Sequence, residues 1–330
     1  MCASVERRWA ALRAYAQGVT QTSSSPKNWT TRTLLAWMQQ AFFQKDLDSP
    51  RLLAELLMSH VLGCDRLKLY LDPDRPANPL ERQTLRDLVG RALKHEPVQY
   101  LVSEAWFFGM PFIVDKRVLI PRPATETIVE YVLQHHRAVH GPSQATSLAR
   151  GEGVLIADVC TGSGAIALAL LKQLPGARAV ASDLSKDALA VATLNAQKHG
   201  MRERIDFVAG NLLEPLRAYP PTAGDGSLDY LVSNPPYIPD DEWPDKVDVN
   251  VREFEPTMAL RGGPDGLQFA RPILQDGAKL LKPGGLMLVE IADARASEAL
   301  AIAQANTLLV DARILRDNDG LQRVIVAKRT

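Results

Sequence analysis

The sequence predicts an α/β protein: an open, mostly parallel sheet with helices on both faces, closed by a C-terminal antiparallel hairpin and preceded by a small helical bundle. Three observations predict it. Apolar residues recur at helical spacing between Thr31 and Leu93. From Gly153 onward, short apolar runs alternate with helical stretches, the rhythm of a parallel sheet. Near the C-terminal end, two further apolar runs flank Asp317-Asn318-Asp319-Gly320, a tight-turn signal.

The elements follow in order. Residues 1–30 read as an N-terminal extension, with a short helix around Val5 to Ala16 and a polar break from Thr20 to Asn28. Residues 31–96 read as the bundle. Its first helix presents Leu34, Leu35, Met38 and Phe42 on one face. The second opens at Ser49-Pro50, with Ser49 as N-cap and Pro50 at the first position, and ends at Gly63. Its expected face is Leu52, Leu53, Leu56, Leu57, His60 and Val61. The third, Pro79 to Leu93, carries Leu80, Leu85, Leu88, Val89 and Leu93. Residues 97–123 read as a hairpin about Gly109 followed by a stiff linker, Leu119-Ile120-Pro121-Arg122-Pro123.

Residues 124–330 hold the sheet. Strands are expected at 154–159, 178–182, 205–209, 229–233 and 286–291, with the terminal hairpin at 312–316 and 323–327. His135, His136 and His140 read as a solvated helix end, not a metal site.

Composition narrows the function classes. The chain has 330 residues, 46% hydrophobic and 23% charged, as expected of a globular enzyme of about two domains. Net charge is zero, with 16 Lys/Arg against 12 Asp/Glu in residues 1–120 and 22 against 26 after them. That acidic second half suits duplex nucleic acid poorly, so no sequence-specific nucleic-acid partner is expected. Cys2, Cys64 and Cys160 lack metal-ligand spacing and are odd in number, which points to a reducing, cytoplasmic setting without a metal. No apolar run reaches the length of a membrane span.

The chemistry concentrates at the carboxyl ends of the expected strands, where open α/β sheets bind ligands. The first strand runs into Asp158-Val159-Cys160-Thr161-Gly162-Ser163-Gly164. Glycines there let a ligand approach the backbone. The acidic residue before the turn suits a ligand with a cationic amino-acid end, such as S-adenosyl-L-methionine, better than a pyrophosphate. Asp183 closes the second strand about 20 residues on, where a carboxylate accepts ribose hydroxyls. The fourth strand stops on Asn234-Pro235-Pro236-Tyr237. An amide nitrogen is a weak nucleophile, and two fixed acceptors would orient it toward a methyl donor. Asn234 Oδ1 and the Pro235 carbonyl can be those acceptors, and Tyr237 offers a ring to stack on a planar group.

A sheet of this kind ending in a hairpin is the build of the class I S-adenosylmethionine-dependent methyltransferases. Asn-Pro-Pro-Tyr resembles the signature of enzymes that methylate adenine N6, guanine N2 or glutamine N5, and alone it does not choose among them. Longer stretches do: His95–Leu101, Phe108–Phe112, Val118–Glu126, Asp158–Ala167, Phe254–Leu260 and Gly263–Leu267, in matching order over roughly residues 31–330. Together they resemble the HemK-type protein-(glutamine-N5) methyltransferases.

The resemblance implies S-adenosyl-L-methionine as donor and the glutamine of the Gly-Gly-Gln loop of peptide chain release factors as acceptor, a modification in translation termination. It implies that Cys160, Thr161, Gly162, Ser163 and Gly164 wrap the donor's methionine part, and that Asp158, Asp183, Asn211 and Leu212 complete the donor site. Asn234, Pro235, Pro236 and Tyr237 would hold the glutamine amide. A sister group acts on a large-subunit ribosomal protein, and Ile120–Glu126 is closer to the release-factor group.

Two residues depart from the family pattern. Cys160 stands where glycine is common, which the turn tolerates if that residue keeps a negative φ. Asn211 stands where aspartate is usual, near the expected adenine, where an amide can still hydrogen-bond. Glu255 and Arg122 read first as an ion pair and second as residues shaping the acceptor side.

Overall fold

In the computed structural model, residues 29–141, 148, 150–220, 226–243 and 245–330 are described. The expected helix around Val5 to Ala16 and the break from Thr20 to Asn28 lie outside them. The chain divides into two compact units, at Gly90 and Arg91.

The first unit is helical. Thr30 caps the helix Thr31–Gln44 through a capping box with Thr33, and Leu34, Leu35, Met38 and Phe42 are all buried. The helix Pro50–Leu62 ends at Gly63, as its left-handed conformation requires. Its face differs from the sequence expectation. Ala54, Glu55, Leu57 and Met58 are buried, whereas Leu52 and His60 are exposed. The reason is Glu55, which an apolar pattern does not select. It is held by Arg51, Arg66 and Tyr70, so burying it does not strand a bare charge. Ser49 sits at φ 52 and makes no side-chain cap bond, so Pro50 starts this helix without it. In Pro79–Ala92 the buried positions include Leu85 and Val89, while Leu80 in the first turn is 75% exposed.

The second unit opens on an antiparallel hairpin, β1 Glu104–Phe107 and β2 Met110–Ile113. Phe108 and Gly109 both have positive φ, as a two-residue turn matched to strand twist demands. Glu126 Oε1 accepts the Phe108 N–H at 2.7 Å and holds that strained residue in place. Asn195 clasps β2 from the helix Lys186–Lys198. Its Oδ1 accepts from Ile113 N at 2.7 Å, and its Nδ2 donates to the carbonyls of Ile113 and Ser163.

Seven strands form the main sheet: β3 Leu155–Val159, β4 Arg178–Asp183, β5 Ile205–Ala209, β6 Leu228–Ser233, β7 Leu281–Glu290, β8 Leu309–Arg316 and β9 Gln322–Arg329. Their order is β5-β4-β3-β6-β7-β9-β8, parallel from β5 to β7 and antiparallel at β9 and β8. One apolar layer lies on each face. The chain reverses direction across the sheet between β3 and β6, the switch point where a crevice opens. Register then sets the site: Val159 pairs with Ser233, so the loop after β3 and Asn234 leave the sheet side by side. Ser233 Oγ donates to the Val159 carbonyl at 2.7 Å and ties the two exits together.

His136 is buried, with Nε2 3.0 Å from the Leu148 carbonyl, and His135 meets the Tyr230 hydroxyl at 3.1 Å. The expected solvated helix end is therefore in part a packed one. Among the described residues no helix is long and apolar enough to cross a membrane, and no group of three or more His, Cys, Asp or Glu could hold a metal.

Candidate active site

A cavity of about 220 Å³ lies at the carboxyl edge of β3, β4 and β5. Of the expected donor-side residues, Cys160, Thr161, Gly162, Ser163, Asp183, Asn211 and Leu212 line it, and so does Asn234. A second cavity, about 260 Å³, lies beyond Asn234 and is lined by Arg122, Tyr237, Ile238 and Lys246 among others. Leu119, Asn234 and Ala259 belong to the walls of both. Asn234 thus stands between two compartments.

The loop after β3 is fixed from below. Asp158 is fully buried and lines neither cavity; its Oδ2 accepts from Thr161 Oγ1 at 2.7 Å and from Ala167 N at 3.2 Å. Its Oδ1 is buried without a partner among the described residues. Burial pushes this carboxyl up to about 7, against those two hydrogen bonds. Asp183 Oδ2 accepts the Gly162 N–H at 2.9 Å and Oδ1 accepts the Ser185 N–H at 2.9 Å, so one carboxylate sets the loop and the following helix start together. Burial raises its pKa and the backbone donors oppose the rise.

The two glycines have different physical reasons. A Cβ on Gly162 would meet nothing within 4 Å, so that position faces open space, at φ 55. A Cβ on Gly164 would sit 3.2 Å from Leu168 Cδ1 and 3.3 Å from Ala192 Cβ, so this glycine serves helix packing. Cys160 has φ 60. The sequence expectation allowed a side chain here if φ stayed negative, and the structure places it in the left-handed region instead. The φ > 0 turn imposes a strain that glycine lacks. Cys160→Gly is therefore expected to stabilise the protein by about 0.5–1 kcal/mol, read by denaturant unfolding. A midpoint unchanged or lowered would contradict the assigned strain.

On the other side, Asn234 Nδ2 donates to Thr125 Oγ1 at 3.1 Å. Pro235 and Pro236 are buried; Pro236 touches the first cavity and Pro235 neither. Tyr237 lines the second cavity, and its hydroxyl donates to Glu290 Oε1 at 3.3 Å. Burial drives the Tyr237 pKa up, with Glu290 adding to it, so the phenol stays protonated. Arg122 and Glu255 form the expected ion pair, and Glu255 Oε2 also accepts from Ile120 N at 3.0 Å, which pins the linker that precedes Thr125. Sequence reasoning assigned no role to Thr125 or Glu290. The signal for Glu290 was present: an acid closing the apolar run Leu286–Val289 at the ligand-binding edge.

An open sheet in this strand order, with a glycine turn at its switch point and a hairpin-closed edge, defines a class I methyltransferase. Residues 145–251 match the family model described as the methyltransferase small domain, and residues 33–102 match the PrmC N-terminal domain. The chain is 40% identical to the release factor glutamine methyltransferase of Chlorobaculum tepidum, over 90% of this chain and 96% of that one. It is 39% identical to the release factor glutamine methyltransferase of Geobacter sulfurreducens, over 92% of this chain and 98% of that one. The chain belongs to the release factor glutamine methyltransferase family.

Proposed function

We propose that this protein transfers a methyl group from S-adenosyl-L-methionine to the side-chain N5 of the glutamine in the Gly-Gly-Gln loop of peptide chain release factors, in the cytoplasm. The observation that carries the reading is the position of Asn234 in the wall shared by two cavities. A group that belongs to both compartments can orient an acceptor nitrogen in one toward a donor in the other.

The donor-side residues fit the donor. Gly162 faces open space and leaves room for a ligand to approach the backbone. Asp183 uses one lone pair per oxygen on the protein, which leaves acceptor capacity for ribose hydroxyls. Asp158 lines neither cavity and serves the donor indirectly, by anchoring the loop through Thr161 and Ala167. Asn211 is exposed on the cavity rim as an amide for the base. When bound, the donor supplies an electrophilic methyl on a sulfonium.

On the acceptor side, Asn234 Oδ1, in the wall of both cavities, accepts one N–H of the glutamine amide; the Pro235 carbonyl, which lines neither cavity in this structure, is the proposed acceptor for the second, and the pair turns the nitrogen to the donor. The neutral N–H is far from acidic, so positioning rather than base catalysis carries the rate. As the N–C bond forms, the C–S bond breaks and one nitrogen proton leaves to solvent. Tyr237, protonated, packs its ring against the planar amide. The helical unit and the positive balance of residues 1–120 serve recognition of the larger partner.

Mass spectrometry of purified release factor after incubation with the protein and donor tests this. One methyl group on the Gly-Gly-Gln glutamine is expected. Label found on ribosomal protein, RNA or DNA with none on release factor would overturn it.

A further inference from the structure

The second cavity carries both signs of charge. Arg122 and Lys246 line it, and so do Glu242 and Asp248. Glu242 and Lys246 pair with each other at 3.5 Å. Arg122 is held from behind: its Nη2 donates to Glu255 Oε1, and Glu255 lines neither cavity. The Glu255 side chain is 1% exposed and the Arg122 side chain 30%. The carboxylate is therefore fixed within the protein, by Arg122 and by the Ile120 N–H, and the guanidinium is the part that meets the cavity. A guanidinium carries donors on each of its nitrogens, in a rigid fork. Among the described residues, Arg122 Nε and Nη1 make no hydrogen bond. These donors belong to the same cavity as Asn234 and Tyr237.

We propose that Arg122 is a specificity-determining residue for the acceptor: it donates to a main-chain carbonyl of the acceptor loop beside the methylated glutamine. This rests on the reading of the second cavity as the acceptor compartment. Chemistry selects that ligand. Glu255 already balances the guanidinium charge, so the pair suits a neutral acceptor oxygen better than a carboxylate or phosphate. A loop that carries a glutamine to Asn234 must bring its own peptide groups out of water, and each buried carbonyl needs a donor. The side-chain carbonyl of the glutamine is the poorer choice. A cation on it favours the resonance form that ties up the nitrogen lone pair, whereas attack on the methyl group restores the C=O double bond. A main-chain carbonyl carries no such penalty. The contact then binds ground state and transition state alike, so it should appear in KM and not in kcat.

The test is steady-state methyl transfer at saturating donor to a synthetic peptide containing Gly-Gly-Gln, for wild type, Arg122→Lys and the double variant Arg122→Gln/Glu255→Gln. Lysine keeps a charge for Glu255 but loses the fork. The double variant leaves no buried carboxylate without its cation. Both variants are expected to raise KM for the peptide about tenfold, with kcat within about twofold and donor affinity, measured by calorimetry, near wild type. A purely structural ion pair would lower the thermal midpoint and leave the peptide KM alone. That outcome overturns the proposal, as does a loss confined to kcat. Calorimetric titration of the peptide in the presence of S-adenosyl-L-homocysteine gives a readout that needs no turnover. Binding about tenfold weaker in both variants is expected. Equal binding in every variant, or none in wild type, would sink the proposal. If wild type methylates neither peptide nor release factor yet binds the peptide through Arg122, the functional reading fails and the peptide-carbonyl site stands.

Discussion

Asn234→Ala is expected to lower methyl transfer to release factor by about 10²–10³-fold, with donor affinity changed little. The side chain does two things that alanine does not. It supplies an acceptor in the wall between the two cavities, and it is held there by Thr125 at 3.1 Å. Loss of a single preorganised hydrogen-bonding group in a water-poor site removes stabilisation that solvent cannot replace. In the proposed site the donor is held chiefly by the loops after β3, β4 and β5, and the first of these keeps its own anchors on Asp158 and Asp183. Rate and affinity should therefore separate. Single-turnover transfer with saturating donor measures the first, and calorimetric titration of S-adenosyl-L-methionine the second. Parallel loss of both would show that Asn234 serves the donor instead.

Gly262→Ala is the second large expected effect, and it concerns a residue that touches no ligand in this scheme. A Cβ there would lie 2.7 Å from Tyr237 Cα and 2.8 Å from Tyr237 C, with Gly266 Cα at 2.9 Å. All three are backbone atoms, so no side chain can swing aside. The Ile238 carbonyl accepts the Gly262 N–H at 2.7 Å, and the Ile238 N–H donates to the Leu260 carbonyl at 2.9 Å. These bonds hold the two segments at that spacing. A methyl group must push the Asn234–Tyr237 loop out of place, and a displacement near 1 Å costs about 10²-fold in rate. Overpacking should also lower stability by about 1–3 kcal/mol. Turnover, thermal unfolding and donor titration on the same preparation check it. A variant of full activity would show that the loop has slack the structure does not reveal.

Much of the fold was legible because strands announce themselves by short apolar runs with turn signals between them. Ile205–Ala209 matches residue for residue, and β4 and β6 each gain one residue beyond the sequence reading. The helix Pro50–Leu62 was misread by rotation. Its paired leucines fit more than one stripe, and the stripe chosen by the fold includes Glu55, whose partners Arg66 and Tyr70 are 11 and 15 residues away. The candidate site was legible where chemistry follows a strand directly, as with Gly162, Asp183 and Asn234. It was opaque where partners are distant in sequence. Thr125 meets Asn234 across 109 residues, and Glu290 meets Tyr237 across 53. Cys160 shows a third limit: residue type alone does not reveal the sign of φ, only the backbone does.

The strand order has a consequence for descent with modification. The loops after β3, β4 and β5, where the donor is proposed to sit, contribute only to the first cavity, whereas the second is lined mainly by segments after β6 and by Leu119 and Arg122 of the linker. The two linings share Leu119, Asn234 and Ala259, while Val159 and Ser233, paired in the sheet, send the loops on either side in different directions. Residues well separated across that divide alter binding nearly independently. A lineage can therefore rewrite what is methylated by editing one half of the sheet's edge, while the other half goes on paying the same wage in methyl groups.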